Sequence, residues 1–504
     1  MTLRMRLTGL ARLACTIGLA IAGGLLLPVE ALAVTFTVNS TDDGADISPG
    51  DGNCSTVDPP AQPVCTLRAA VMEANRTTGL GAIIKLPASV VPYFLKIDPK
   101  APDDEKTGDL NLFVPSGYTT GPTQIIGDGA AFTIVDANGI DRILSIENRT
   151  VSISGLTMRN GFAASPGGGI YCDGHLTLTE VIISDNTSTS VGGGIYLEVS
   201  GSLVVVHSEL NNNTGLSGGG ISAGGNHSAT ISESTLSGNH STNSGGAIYN
   251  QAGGLTLSRS TLSGNTSGFG GGLAISSFMM GYSAVVAQST ISGNSASKSG
   301  GGIANGDGSY DDGSLYLSNS TIAGNAAVEN GGGIYNSTTS HVYNSTIAYN
   351  QSDSNADNIG LGSGVFNAAG SPFYLRNSVV AANTYPGPYG LTLYEDCYGA
   401  LTAFGKNRFY SLNGCSVTQA DGGSTTALVP FAALGALRDN GGPTQTIELL
   451  AVAGANLIDY ASNCVDNNGA LNTDQRGRPR PLGASCDVGA FEYDPGDIFI
   501  NGFQ

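Results

Sequence analysis

The sequence predicts an all-β chain wound as a parallel β-helix, and three observations predict it. Nine asparagines, Asn160, Asn186, Asn213, Asn239, Asn265, Asn294, Asn325, Asn350 and Asn383, each follow a short apolar run and return at intervals of 25 to 33 residues. Most are trailed by a glycine cluster and another apolar step, as in Gly167 to Tyr171, Gly192 to Tyr196 and Gly331 to Tyr335. Between these marks lie only short strand-like pieces, such as Gly254 to Ser258 and Ser314 to Leu317, divided by Gly, Asn and Ser.

A period of roughly 20 to 50 residues means a solenoid, a propeller or an array. Propeller blades want about 40 residues or more, and leucine-rich repeats want a Leu-rich consensus that is missing here. A helix would lose about 1 kcal/mol at every glycine. What remains is a coil of short strands, each turn stacked about 4.8 Å from the last. Equivalent residues then form ladders. An inward Asn at a tight corner can pass an amide hydrogen to the carbonyl of the Asn in the next turn, a bond worth about 0.5 to 1.5 kcal/mol net. The glycines serve corners that need φ above zero or close backbone approach. In each G-I-Y step the strand period sends Ile inward and Tyr outward.

Taken in order, Arg4, Arg6 and Arg12 precede the uncharged stretch Leu13 to Leu27, and Ala31-Leu32-Ala33 supplies small residues for cleavage. Residues 1–33 are therefore expected to be a signal peptide. Residues 34–110 read as an entry region: the strand V-T-F-T-V from Val34, an acidic Gly-rich loop, and a helix from Thr66 to about Ala74. Thr66 caps that helix, and Leu67, Ala70, Val71 and Ala74 share one face. Such a helix would cover the open end of the coil. The coil is expected over 111–403, a closing module over 404–493, and a short tail over 494–504. No segment of the mature chain approaches the ~18 apolar residues of a membrane-spanning helix.

The formal net charge is −19, and the leader carries three arginines against Glu30, so the mature chain is more acidic still. Between Asn160 and Ala400 the only Lys or Arg residues are Arg259, Lys298 and Arg376. Nucleic acid, anionic lipid and polyuronate chains would need a basic stripe that is missing. Export makes the compartment oxidising. Cys54 with Cys65, Cys397 with Cys415, and Cys464 with Cys486 are three local candidates for disulfides, while Cys172, beside the inward Ile170, reads as a buried thiol. No C-x-x-C pair or Cys/His cluster suggests structural zinc.

Catalysis on a β-helix would require carboxylate pairs with a base. The acidic pairs are Asp42-Asp43, Asp103-Asp104, Asp311-Asp312 and Glu395-Asp396, and His175, His207, His227, His240 and His341 are scattered away from them. No catalytic residue is assigned and no cofactor is expected. The spacing Asn305, Asp307, Ser309, Asp311 offers only a loose calcium loop, without the Gly and terminal Glu of an EF-hand. Asp474, Arg476, Arg478, Arg480 and Asp487 form the densest polar cluster, and an Arg-carboxylate clamp on the last turn is the expected role.

Several segments resemble a known set of exported proteins. C-T-L-R-A-A-V-M-E-A-N (Cys65 to Asn75) resembles a bacterial entry motif of the form C-S-L-R-E-A-I followed by A-N, with Ala69 in place of the usual glutamate. The [I/V/L]-x-x-N and G-G-[G/A]-[I/L] units look like the repeats of polymorphic outer-membrane proteins. D-N-G-G-P-T-Q-T (Asp439 to Thr446), D-Q-R-G-R-P-R-P (Asp474 to Pro481) and C-D-V-G-A-F-E (Cys486 to Glu492) are similar to the C-terminal module of choice-of-anchor Q proteins. The resemblance implies a right-handed, pectin-lyase-like coil. The expected function is a non-enzymatic surface protein, secreted or held at the cell surface, that adheres to an extracellular glycan or protein, as a monomer. The competing expectation is a polysaccharide lyase or glycoside hydrolase.

Overall fold

The computed structural model describes residues 33–496 except 59–61, 80, 102–103, 200, 277–281, 307–312, 423–425, 428–429, 431–432 and 462. A turn of the coil runs through four short strands, for example Ile248–Gln251, Gly254–Ser258, Thr261–Ser263 and Thr266–Ser267. Each pairs in parallel with its counterpart one turn on: Leu273–Ser276, Ser283–Ala287, Thr290–Ser292 and Ser295–Ala296. Among the described residues this stacking makes a 22-stranded sheet that takes the first two strands of each turn, a 13-stranded sheet and a 7-stranded sheet.

The strand period of two fills the bore with aliphatic columns. Register places Ile195, Ile221, Ile248, Leu273, Ile303, Ile334 and Val365 one above another, and none is more than 1% exposed. Each such side chain contributes roughly 1.5 to 3 kcal/mol by leaving water. Cys172 belongs to a neighbouring column, in register with Ile146 and Leu197. That placement pushes its thiol up to about 12, through burial first.

The S-T-[L/I]-x-G-N motif encodes two successive corners. At the first, a left-handed residue such as Glu233, Arg259 or Gln288 (φ 47° to 51°) precedes a serine. The backbone N–H of Ser208 donates to Ser234 Oγ at 3.1 Å, Ser234 to Ser260 Oγ at 3.1 Å and Ser260 to Ser289 Oγ at 3.2 Å. At the second corner a left-handed glycine, such as Gly264 (φ 63°), precedes the asparagine. The third corner carries the glycine cluster. Gly300 sits at φ 74°, and a Cβ on Gly301 would meet the carbonyl oxygens of Ala326 and Gly332 at 2.4 Å.

Parallel pairing begins before residue 111, because Val34–Thr37 already pairs with Ala82–Leu86. Helix Leu67–Ala74 lies against the coil with all eight residues buried, and Thr66 Oγ1 accepts from Ala69 N at 3.1 Å. Arg68 donates to Asp43 at 2.6 Å and to the carbonyl of Gly108 at 2.7 Å. Glu73 accepts from the N–H groups of Gly50 and Gly52, which pins the acidic loop to the helix. Asn75 Nδ2 donates to Asn111 O, and its oxygen accepts from Phe113 N.

At the other end the chain doubles back along the flank of the coil. Its segments pack on the outer face of the 13-stranded sheet, where Ala323, Ala348 and Val379 join Leu434, Ile447, Leu449, Leu457, Val488 and Phe491 in a second apolar cluster. The outward threonines Thr290, Thr321 and Thr346 are wholly buried there, whereas Glu209 in the same column is exposed. Gln475 bridges two turns, donating to Thr290 Oγ1 at 2.9 Å and accepting from Thr321 Oγ1 at 2.6 Å. Disulfides join Cys54 to Cys65, Cys397 to Cys415 and Cys464 to Cys486.

Candidate surface-binding site

In the second strand of each turn, outward positions of the large sheet carry mostly Thr, Ser and Val until the strands Ser314–Ser318, Thr339–Tyr343, Phe373–Arg376 and Cys397–Phe404. There the same alternation that buries Leu315 and Leu317 turns aromatic rings to the outside. Tyr316, His341 and Tyr374 stand in register. Their rings stack at 4.8 Å between Tyr316 and His341 and 4.7 Å between His341 and Tyr374. The next position in that column is Thr402; Phe404 stands in the column of Arg376, its ring 6.3 Å from Tyr374 and tilted by 47°.

With a threonine at the next rung, the column of rings ends at Tyr374. One face of Tyr374 lies against His341, and the other looks into a depression of about 230 Å³ lined by His341, Tyr343, Tyr374, Leu375, Arg376 and Phe404. Its wall is largely apolar carbon with a few fixed polar atoms, the usual make-up of a binding site. The Arg376 guanidinium lies 5.2 Å from the Phe404 ring centroid and pairs with Asp421 at 3.7 Å. Tyr343 OH is 3.2 Å from His341 Nδ1. Burial holds the imidazole of His341 below its ordinary pKa and pushes the Tyr343 phenol above its own. The ring is therefore neutral near pH 7. A second stack, Tyr335, Phe366 and Tyr398, repeats at 5.4 Å with its planes within 3°.

The asparagines expected as a ladder occupy the second corner from Asn186 onward. Asn186 Nδ2 donates to Asn213 Oδ1 at 2.9 Å, Asn213 to Asn239 at 3.0 Å, Asn239 to Asn265 at 3.0 Å and Asn265 to Asn294 at 2.8 Å. The series continues through Asn325, Asn350 and Asn383 at 2.9 Å each. Asn160 is a correction: it is exposed, at φ 58°, and its amide donates to the Asp136 carboxylate. It holds the left-handed corner position itself, one residue before the place that faces the bore.

The column ends on a carboxylate. Asp396 Oδ1 accepts the backbone N–H and Nδ2 of Asn383, both at 3.0 Å, and Oδ2 accepts from Tyr410 N and Ser411 N. Burial outweighs these donors and pushes its pKa up to about 6. Asp487, in the flanking module, is pushed up to about 7 by burial and then by the Glu492 charge. Each acid keeps its proton to a higher pH in the fold than in the unfolded chain. The native state thus binds more protons between the ordinary carboxylate range and about pH 7, and stability falls as pH rises through that window. His227 and His341, held below their ordinary pKa by burial, act in the opposite sense, so the test is the comparison with Asp487→Asn: between about pH 5 and about pH 8 the urea midpoint of the parent should fall relative to that of the variant. A parent midpoint that instead rises relative to the variant would contradict this assignment.

The other candidates take structural places. Asp42 pairs with Lys96 and Asp43 with the buried Arg68. Glu395 Oε2 accepts from Gly362 N at 2.5 Å. Asp103, Asp307, Asp311, Asp312 and Ser309 lie outside the described residues, as do residues 1–32, where most of the signal peptide is expected, and the chain from residue 497. Among the described residues no group of three or more His, Cys, Asp and Glu side chains is placed to hold a metal ion. His227 is buried between Gly225 O and Asn250 Oδ1, His207 meets Glu233, and His175 and His240 contact Ser202 and Thr266. Arg476 pairs with Asp474 at 2.8 Å, with its guanidinium 3.6 Å from the Phe491 centroid. Arg478 reaches Asp494 at 3.4 Å.

Three features escaped the sequence reading. The serine column was visible in the repeated S-T-[L/I] step. A second amide column, Asn305, Asn336 and Asn367, with bonds of 2.9 and 2.7 Å, was signalled only by I-A-N and I-Y-N. The aromatic depression also left a trace. Tyr316, His341 and Tyr374 are separated by 25 and 33 residues, the same intervals that separate Asn325, Asn350 and Asn383.

The family model described as a right handed beta helix region matches residues 168–347. A search of curated proteins finds no match. The parallel registers show a β-solenoid fold, and the match over residues 168–347 supports a right-handed β-helix. That fold occurs both in surface proteins and in enzymes that degrade polysaccharides. No helix among the described residues is long and apolar enough to cross a membrane, and the disulfides accord with an oxidising compartment.

Proposed function

We propose that the chain is an exported, non-enzymatic surface protein that uses the coil as a rigid stem and the aromatic depression to hold an extracellular partner. The observation that carries this reading is the cluster of outward rings at Tyr316, His341, Tyr374 and Phe404, on strands whose counterparts in the preceding turns turn mostly Thr, Ser and Val outward. Aromatic surface of this kind marks recognition sites, because a rigid ring offers large contact area at little entropic cost. The depression presents Arg376 and a neutral His341, without a carboxylate on its wall. The paired carboxylates of a glycoside hydrolase are not among its lining residues.

The apparent leader, the Cys65 to Asn75 motif and the Asp474 to Glu492 segments support export and a place in the envelope like that of choice-of-anchor Q proteins. In that reading Arg68, Glu73 and Asn75 of the entry motif are fixtures of the N-terminal cap, and Arg476 and Arg480 are fixtures of the flanking module. Binding to an array of extracellular glycans and matrix proteins tests the proposal. Tyr374→Ala should weaken capture at least about tenfold, or about 1.4 kcal/mol, while leaving the urea midpoint nearly unchanged. Release of reducing ends or unsaturated uronates from any bound glycan would transfer the chain to the enzyme class.

A further inference from the structure

The turns of Asn350 and Asn383 each throw out a loop after the asparagine corner, the first over residues 352–361 and the second as an antiparallel hairpin, Thr384–Pro386 with Thr392–Tyr394. The two loops are neighbours: Ser352 N donates to Thr384 O at 3.3 Å, and Glu395, at the foot of the hairpin, accepts from Gly362 N. Between them they expose four large apolar side chains, Tyr389 fully, Ile359 at 63%, Leu391 at 59% and Leu361 at 36%. Single exposed apolar residues are ordinary, but four on one pair of loops mark a contact surface. Tyr389 holds the tip at φ 62°, a left-handed conformation that costs a bulky residue energy, yet its side chain packs on nothing in the chain.

The hairpin is also poor in groups that need water. From Thr384 to Tyr394 no residue is charged. Of the six residues from Pro386 to Leu391, two are prolines and have no N–H. Gly387 and Leu391 donate within the hairpin, to Leu391 O at 2.7 Å and to Pro388 O at 3.3 Å. Only Tyr389 and Gly390 bring further backbone donors to the tip, so moving it out of water strands few polar groups.

We propose that this tip is a shallow lipid anchor, which dips Tyr389 and Leu391 into the interface of a zwitterionic membrane with Ile359 and Leu361 beside them. Tyrosine with aliphatic neighbours suits that interface, which accepts both the apolar body of the ring and its hydroxyl. Charge selects the lipid. Between Lys298 and Lys406 the only Lys or Arg is Arg376, which pairs with Asp421, while Asp357 is exposed in the neighbouring loop. On a chain of net charge −19, anionic headgroups would be repelled. A specific protein interface would add directional polar contacts, of which the tip offers few. The anchor is separate from the aromatic depression and from whatever partner the depression holds.

The chain contains no tryptophan, so Tyr389→Trp places a single reporter at the tip. With vesicles of pure phosphatidylcholine its emission should move to shorter wavelength and be quenched by lipids brominated on the acyl chains. Phosphatidylserine-rich vesicles should bind at least about tenfold more weakly. In flotation the parent should rise with phosphatidylcholine vesicles, and the double variant Tyr389→Ser with Leu391→Ser should partition at least about tenfold more weakly, with its urea midpoint unchanged because both side chains are exposed. Tyr374→Ala should float like the parent, which separates the anchor from the depression. An unshifted reporter, flotation that survives the double serine variant, or tighter binding to phosphatidylserine overturns the lipid anchor and leaves the surface-binding reading in place. A reporter shifted by a matrix protein but not by vesicles also overturns it and makes the tip a protein interface.

Discussion

Replacing Asn265 by leucine will destabilise the turns on either side of it by about 3 to 6 kcal/mol, since several wholly buried polar groups then lose partners worth about 1 to 3 kcal/mol each. Asn265 Oδ1 accepts both the backbone N–H of Asn239, at 2.9 Å, and its Nδ2, at 3.0 Å. Asn265 Nδ2 donates to Leu236 O at 3.0 Å and to Asn294 Oδ1 at 2.8 Å. Leucine matches the volume but offers none of these atoms, and water has no route to a side chain that is 0% exposed. Because each turn of a solenoid leans on its immediate neighbours, the damage stays local. Hydrogen exchange should show the amide of Asn239 losing protection while the Asn350 region keeps it. Unchanged protection at Asn239 would mean that the column does not stabilise the corner.

Replacing Arg480 by methionine is expected to cost about 3 to 5 kcal/mol, the usual penalty for stranding a buried charge. Its guanidinium donates to Glu492 Oε2 at 2.8 Å, to Gly489 O at 2.7 Å and across to Asn319 Oδ1 of the coil at 2.7 Å. Both members of the Arg480–Glu492 pair are essentially unexposed. Removing the cation leaves Glu492 beside Asp487, whose carboxyl its charge already pushes upward. The flanking module should then open at lower urea than the coil, read as early proteolysis between residues 434 and 491. The double variant Arg480→Met with Glu492→Met should recover much of the loss, since an apolar pair leaves no uncompensated charge. Equal lability in the single and double variants would show that the arginine acts by packing alone.

The coil was legible because it is periodic. Stacked turns force equivalent residues into identical environments, so the corner asparagines, the inward Ile and Leu columns and the glycines all left regular marks. Helix Leu67–Ala74 was legible from Thr66 and the apolar face that follows. Asn160 was misread because a left-handed corner residue and the inward residue after it can both be asparagine, and the motif does not say which. The course of the closing module was hidden. Its contacts join residues more than 150 positions apart, as between Gln475 and Thr321, and threonines that receive it look the same as threonines facing water. The aromatic site was half visible: its intervals match the coil, but the register that sets Thr402 after Tyr374 and Phe404 beside Arg376 comes from pairing in the last turn.

The seat of the doubled-back module begins at the rung of Gln288, whose Nε2 donates to Asp474 O at 3.1 Å, and the aromatic depression lies on later rungs of the same stretch. Upstream of them the stem is free of that cover. Whole turns could be gained or lost there, each changing the length of the coil by about 4.8 Å, without disturbing the contacts of the flanking module. The molecule is built as an extensible mast with a fixed head, and natural variation in its length should fall before residue 288, not after.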